Sequence, residues 1–238
     1  MYKLYIANKY YSSWSLRPWI LMKERDIPFE ECLVPFEKAE NRDLFRTIAP
    51  NAQMPCLHDG DTVVWDSLGI IEYLAERHEG VWPKDDKARA WARSATAEIH
   101  SSFWALRHHC PVNCGIRVAL YEIPGPVSRD IERIDEIWRE GLDRFGGPYL
   151  AGDSFTAVDA FFAPVSFRIQ TYGLPFSPTA MAYQRRILDR PAAVDWYEAG
   201  LLEPYREPHR DSEPRAVGRI TADFRVSGSG GVSTAPQP

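Results

Sequence analysis

The stretch MPCLHDGDTVVWDS, residues 54–67, decides how the first part of this chain folds. Two short apolar runs flank His58, Asp59, Gly60 and Asp61. Asp-Gly between such runs is a strong hairpin signal, because glycine reaches positive φ without steric cost. Pro55 stands where the first strand of that hairpin begins. A proline there marks either a cis bond in a tight turn or an ordinary edge-strand residue, and the sequence leaves both open. After Trp65, the residues Leu68, Ile71, Tyr73, Leu74 and Ala75 recur at helical spacing, which predicts an amphipathic helix over 67–78.

Upstream, residues 2–7 alternate as a strand does. Residues 13–25 place Leu16, Trp19, Ile20 and Met22 on a helix, with Pro18 expected in or near its first turn, where a missing N–H is harmless. Residues 28–34 read as a second strand and 40–48 as a short helix with Leu44, Phe45 and Ile48 on one face. The order β-α-β-α-β-β-α implies a parallel crossover followed by an antiparallel edge, a thioredoxin-like α/β arrangement over residues 1–79. A linker follows over 80–86. Beyond it the strand pattern stops, and helices are predicted over 87–109, 126–145, 156–172, 178–189 and 191–205, an all-α domain spanning 87–210. The tail, 211–238, is charged and then rich in Gly and Ser, and is expected to be disordered.

The chain has 238 residues, 45% hydrophobic and 26% charged, with a formal net charge of -5. That balance suits a globular protein and offers no basic block to follow a phosphate backbone, so no nucleic-acid partner is expected. No apolar run approaches the roughly 18 residues that a membrane span needs, and the N-terminus reads as a strand and not as a signal peptide. A cytoplasmic protein without a membrane partner is expected. Four cysteines do not make a disulfide framework for this length. His108, His109, Cys110 and Cys114 lie close together but match no closed zinc spacing, so no metal is expected.

Three stretches carry chemistry. Ser12, Ser13 and Trp14 lie between the first strand and the first helix. A helix start has free N–H groups and partial positive charge, so a hydroxyl there either caps the helix or donates to a thiolate and lowers its pKa. Gln53, Met54 and Pro55 begin a strand; a turn there would leave the Met54 N–H and C=O free to pair with an extended peptide. Asp66 and Ser67 head the third helix, where they cap it or receive a ligand's ammonium and carboxylate. A fourth motif, Thr156 with Asp159, has capping-box spacing after Phe155 and reads as structural.

In this order, Ser12, Met54-Pro55, Asp66-Ser67 and Thr156-x-x-Asp159 resemble the glutathione S-transferase superfamily over residues 1–205. The SSWSLR stretch is similar to the zeta-type signature SSCSxR, with Trp14 where that class has cysteine. Arg168 is out of register with the substrate-binding arginine of the maleylacetoacetate isomerases. The resemblance implies an enzyme that binds glutathione through Trp14, Gln53, Met54, Pro55, Asp66 and Ser67. Its thiolate would be stabilised by Ser12, or by Ser13 if the helix start slips by one residue, and would attack a small hydrophobic electrophile or a peroxide. Phe103, Trp104, Arg107 and His108 would line the co-substrate pocket, with Arg107 either steering an anionic co-substrate or standing as a solvated charge. A homodimer is implied, with Glu98 reaching toward the partner's glutathione. The alternatives are a non-catalytic binding protein of the same fold or a glutathione-dependent isomerase. A thiol-disulfide oxidoreductase is disfavoured, because serine at position 12 cannot form a mixed disulfide.

Overall fold

Asp59, Gly60, Asp61 and Thr62 form the turn of the predicted hairpin, with Gly60 at φ 61°. Strand β3 (Cys56–Asp59) pairs antiparallel with β4 (Thr62–Val64), Asp59 opposite Thr62. On its other side β3 pairs antiparallel with β1 (Tyr2–Ile6), and β1 pairs in parallel with β2 (Phe29–Leu33), giving the sheet order β2-β1-β3-β4. Helices α1 (Ser13–Glu24), α2 (Asn41–Ile48) and α3 (Ser67–Ala75) complete this α/β half, which has the thioredoxin-like arrangement read from the sequence. The computed structural model describes residues 1–36 and 41–226; residue 40 of the expected second helix and residues 227–238 of the expected tail lie outside them.

The second half contains α4 (Asp86–Ser101), α5 (Trp104–His109), β5 (Ile116–Leu120), α6 (Gly125–Phe145), α7 (Ala157–Tyr172), α8 (Pro178–Leu188), α9 (Pro191–Leu202), α10 (Pro208–Val217) and β6 (Gly218–Asp223). Helix α7 is its axis. Among its residues only Gln170 escapes full burial, as expected of a helix apolar on every side. It packs against α4 and α8 and, across the domain boundary, against α1. The capping box forms as the spacing predicts: Asp159 accepts the Thr156 N–H at 2.9 Å. Its other oxygen accepts the Leu150 N–H at 3.0 Å and the Tyr183 hydroxyl at 2.9 Å. Around this point Trp138 stacks on Phe176 and meets Phe162 and Tyr183 edge to face.

Four expectations need correction. The helix predicted over 87–109 is two helices, because Phe103 takes a left-handed conformation at φ 63° and turns its ring into the core. The carbonyls released by the break are taken up locally: Arg107 Nε donates to Ser102 O at 2.9 Å, its Nη2 to Ile99 O, and Trp104 Nε1 to Ser101 O at 3.1 Å. Pro18 lies inside α1, past its first turn. The helical half is not wholly helical, since β5 and β6 pair antiparallel, Ile116 opposite Asp223 and Leu120 opposite Gly218. The expected disorder from residue 211 is overturned as far as residue 226 by α10 and β6. Charge, read as a mark of disorder, here makes internal contacts. Arg225 pairs with Asp223 and Asp211, and Asp211 accepts the Tyr11 hydroxyl at 2.6 Å.

Asp159→Ala would strand four buried donors, the Leu150 and Thr156 N–H groups and the Thr156 and Tyr183 hydroxyls, which costs about 3 kcal/mol or more. The expected drop in thermal midpoint is roughly 6–12 °C for a chain of this size. Scanning calorimetry checks this; a midpoint within about 2 °C of wild type would show the network to be dispensable.

Candidate functional site

Three local structures meet in one cleft at one end of the sheet. The first is the start of α1. Ser12 is its N-cap, and its Oγ accepts the Ser15 N–H at 3.3 Å and lies 2.8 Å from Ser15 Oγ. Ser15 Oγ in turn accepts the Ala7 N–H at 3.1 Å. The Ser12 hydroxyl donates to Ser15 Oγ, and a hydroxyl hydrogen can turn to another acceptor when one is present. Ser13 is the first residue of α1, and among the described residues its hydroxyl has no hydrogen-bond partner. Both serines line the cleft. Tyr11 lines it too, but its hydroxyl is donated to Asp211, and burial with that carboxylate raises its pKa far above the usual tyrosine value.

The second structure is the head of β3, where the Met54–Pro55 peptide is cis. Among the described residues neither the Met54 N–H nor its C=O is paired, so an unpaired stretch of backbone faces the cleft. The third is the start of α3. Asp66 caps it, accepting the Leu68 N–H at 2.9 Å. His100, from α4, reaches the other Asp66 oxygen at 3.3 Å. That contact, with the backbone donors, pulls the Asp66 pKa down to about 2 against the opposing effect of burial. Ser67 is fully buried and its Oγ has no partner, although buried hydroxyls are normally satisfied.

The cleft has two connected parts. One, of about 300 Å³, is lined by Gln53, Met54, Pro55, Asp66 and Ser67 together with Phe36, Phe45, Asn51 and Ala52. The other, of about 230 Å³, is lined by the two serines, Trp104, Arg107, His108, Pro111, Val112 and Arg168. Trp14, Phe36, Met54 and Arg210 face both. Trp14 is held between two guanidiniums, Arg17 at 4.0 Å and Arg107 at 4.9 Å from its ring centre. Arg17 is buried, lies 4.7 Å from the Phe161 ring centre, and has its Nη1 3.4 Å from His100 Nδ1. Every residue assigned from the sequence to the glutathione side thus faces the cleft. On the co-substrate side Trp104, Arg107 and His108 do so, and Phe103 does not.

The sequence reading missed His100, Arg210 and the use of Arg17. His100 carries no motif, Arg210 stands at the edge of the expected tail, and Arg17 served only to align the SSWSLR stretch. Glu98, expected to reach a partner, is engaged at both oxygens by Arg133, at 2.7 and 3.0 Å. Arg107 is not a solvated charge, since its guanidinium closes the end of α4. All four cysteines are free, and among the described residues no group of three or more His, Cys, Asp or Glu side chains could hold a metal ion. No helix among them is long and apolar enough to cross a membrane.

Residues 11–77 match the family described as glutathione S-transferase, N-terminal domain, and residues 124–199 its C-terminal domain. Glutathione S-transferase GstB of Escherichia coli is 27% identical over 190 residues, covering 73% of this chain and 87% of that protein. A probable maleylacetoacetate isomerase of Caenorhabditis elegans is 27% identical over 188 residues, covering 76% and 86%. A crystal structure of a glutathione transferase homolog from Burkholderia, with bound glutathione, superposes with a TM-score of 0.61 at 23% identity, covering 84% of this chain and 97% of that one. That likeness establishes the fold. With both family domains present in order, the chain belongs to the glutathione S-transferase superfamily.

Proposed function

We propose that the protein is a glutathione transferase that stabilises the glutathione thiolate for attack on a small electrophile or peroxide. The observation that carries this reading is the convergence, in one cleft, of two helix-start serines, an unpaired Met54 backbone and the unpartnered Ser67 hydroxyl. Glutathione is a peptide with a carboxylate and an ammonium at one end and a thiol in the middle, and each feature has a counterpart here. Its α-carboxylate suits Ser67 and the N–H groups at the start of α3. Its ammonium suits Asp66, which stays ionised over the whole physiological range. Its cysteinyl backbone pairs with Met54 as an added strand does, and this brings the sulfur toward the start of α1.

At that helix start Ser12 is the donor to the thiolate. The Ser12 hydroxyl, which donates to Ser15 Oγ in this structure, turns to the thiolate when glutathione is bound. A free thiol with pKa near 8.5 is mostly protonated at pH 7, so each unit of lowering raises the thiolate fraction up to about tenfold. The sulfur then gives its electron pair to the electrophilic carbon. A sulfur–carbon bond forms, the leaving group departs with its bonding pair, and the thiol proton has already passed to solvent. The second part of the cleft receives the electrophile. As the family resemblance implies, the working unit is a cytoplasmic homodimer. Glutathione-dependent isomerisation is the second reading, supported by the name of the nematode relative.

Ser12→Ala is expected to lower kcat/KM for glutathione conjugation of 1-chloro-2,4-dinitrobenzene by about 10- to 100-fold, the worth of one hydrogen bond to a charged group. Ultraviolet titration of bound glutathione should show the thiol pKa rising in parallel. Ser13→Ala should change either quantity by less than about threefold. The reverse pattern would move the role to Ser13, and no turnover of any electrophile by a glutathione-binding wild type would favour isomerisation or a binding role.

Because its folded-state pKa is depressed, the ionised Asp66 stabilises the fold above its ordinary value of about 3.9, and this contribution is lost as the pH falls toward about 2. In His100→Leu the Asp66 midpoint should return toward the ordinary range, as read by carboxyl-carbon NMR titration. An unmoved midpoint would show that the backbone donors alone set it.

A further inference from the structure

The co-substrate side of the cleft has an unusual charge balance. Arg107 comes from α5, Arg168 from α7 and Arg210 from α10, and all three line it along with His108. Glu213 is the single carboxylate on the same wall, and it lies 3.6 Å from His209. None of the three arginines has an ion-pair partner among the described residues. Arg168 is only 5% exposed, and its Nε donates to Cys110 O at 2.8 Å and its Nη1 to Pro164 O at 3.5 Å, both backbone carbonyls. Among the described residues its Nη2 has no acceptor. Arg107 likewise spends Nε and Nη2 on carbonyls, and among the described residues its Nη1 has no acceptor. The nearby Asp130 is engaged by the Leu106 N–H at 2.9 Å. Arg210 rests on the Phe36 ring at 4.6 Å, and among the described residues its guanidinium makes no hydrogen bond.

Taking a cation out of water without a counter-charge is costly, and here the cost is compounded by crowding. Burial and the neighbouring Arg107 guanidinium push Arg168 down to about 10, and burial pushes Arg107 down to about 10. Both remain cations at neutral pH. A fold that holds such groups around an open cavity gains when an anion enters, because a guanidinium presents paired N–H groups that match a carboxylate. Trp104, Pro111 and Val112 supply the apolar part of the same wall.

We infer that this pocket selects a co-substrate carrying a carboxylate on an apolar body, with Arg107, Arg168 and Arg210 as its specificity-determining residues. The inference deepens the transferase reading and rests on it, because glutathione must fill the neighbouring part of the cleft for the co-substrate to meet a sulfur.

The test compares S-(4-carboxybenzyl)glutathione with its methyl ester by titration calorimetry, a readout that needs no turnover. The wild-type protein should bind the carboxylate at least about tenfold more tightly, the scale of a charge-assisted pair. Arg210→Gln, on the half-exposed α10, and Arg168→Met should each reduce that preference to within about threefold. Should Arg168→Met fail to fold, Arg210→Gln decides alone. Equal binding of the two conjugates by the wild type overturns the carboxylate assignment and leaves the glutathione reading standing. A preference that survives in the variants overturns the assignment to these arginines. Failure of both conjugates to bind overturns the glutathione reading and this inference with it.

Discussion

The burial of Arg17 is the constraint around which the two halves are arranged. Its guanidinium lies between Trp14, on its own helix, and Phe161, on the axial helix of the second half. Its Nε has no hydrogen-bond acceptor, so the aromatic faces and His100 must offset a large loss of hydration. That is possible only if α1 and α7 pack closely, as they do. The same packing brings His100 against Asp66 and Trp14 against the cleft. The glutathione side is therefore shaped by a residue that does not line it. Trp14 faces both parts of the cleft and lies over the buried Arg17 charge.

The α/β half was legible in the sequence because its signals are local. Asp59-Gly60 specifies a turn, Thr156 and Asp159 specify a helix start, and alternating or helical spacing specifies the rest. That Trp14, Gln53, Met54, Pro55, Asp66 and Ser67 gather in one part of the cleft was legible for the same reason, since they sit at element ends that local chemistry marks. What remained hidden depends on distant contacts. The break at Phe103 carries no glycine or proline, and it holds because Arg107 and Trp104 recover the lost carbonyl bonds. Strands β5 and β6 are far apart in sequence and each is too short to announce itself alone. Arg210 was hidden by composition: a charged, proline-containing stretch reads as disorder until Tyr10 and Tyr11 are known to receive it. The Arg206 guanidinium meets the Tyr10 hydroxyl, and Asp211 takes the Tyr11 proton.

The two parts of the cleft divide the chemistry by the kind of group that forms them. The glutathione side uses backbone and small side chains at helix starts, which fix direction and tolerate little variation in shape. The other side uses long cationic side chains from three helices, whose reach depends on helix packing. A surface built in the second way can change its preferred ligand through single substitutions without disturbing the first.

The antiparallel pairing of β5 with β6 has a consequence for the order in which the site comes into being. Helix α10, which delivers Arg210, is bracketed by α9 and by β6, and β6 is anchored on a strand about a hundred residues earlier in the chain. During synthesis from the N-terminus the serines, the Met54 edge and the α3 start can all be in place while the last wall is still missing. The wall that carries Arg210 is thus the last part of the cleft to be synthesised, held by a strand pairing that reaches back about a hundred residues.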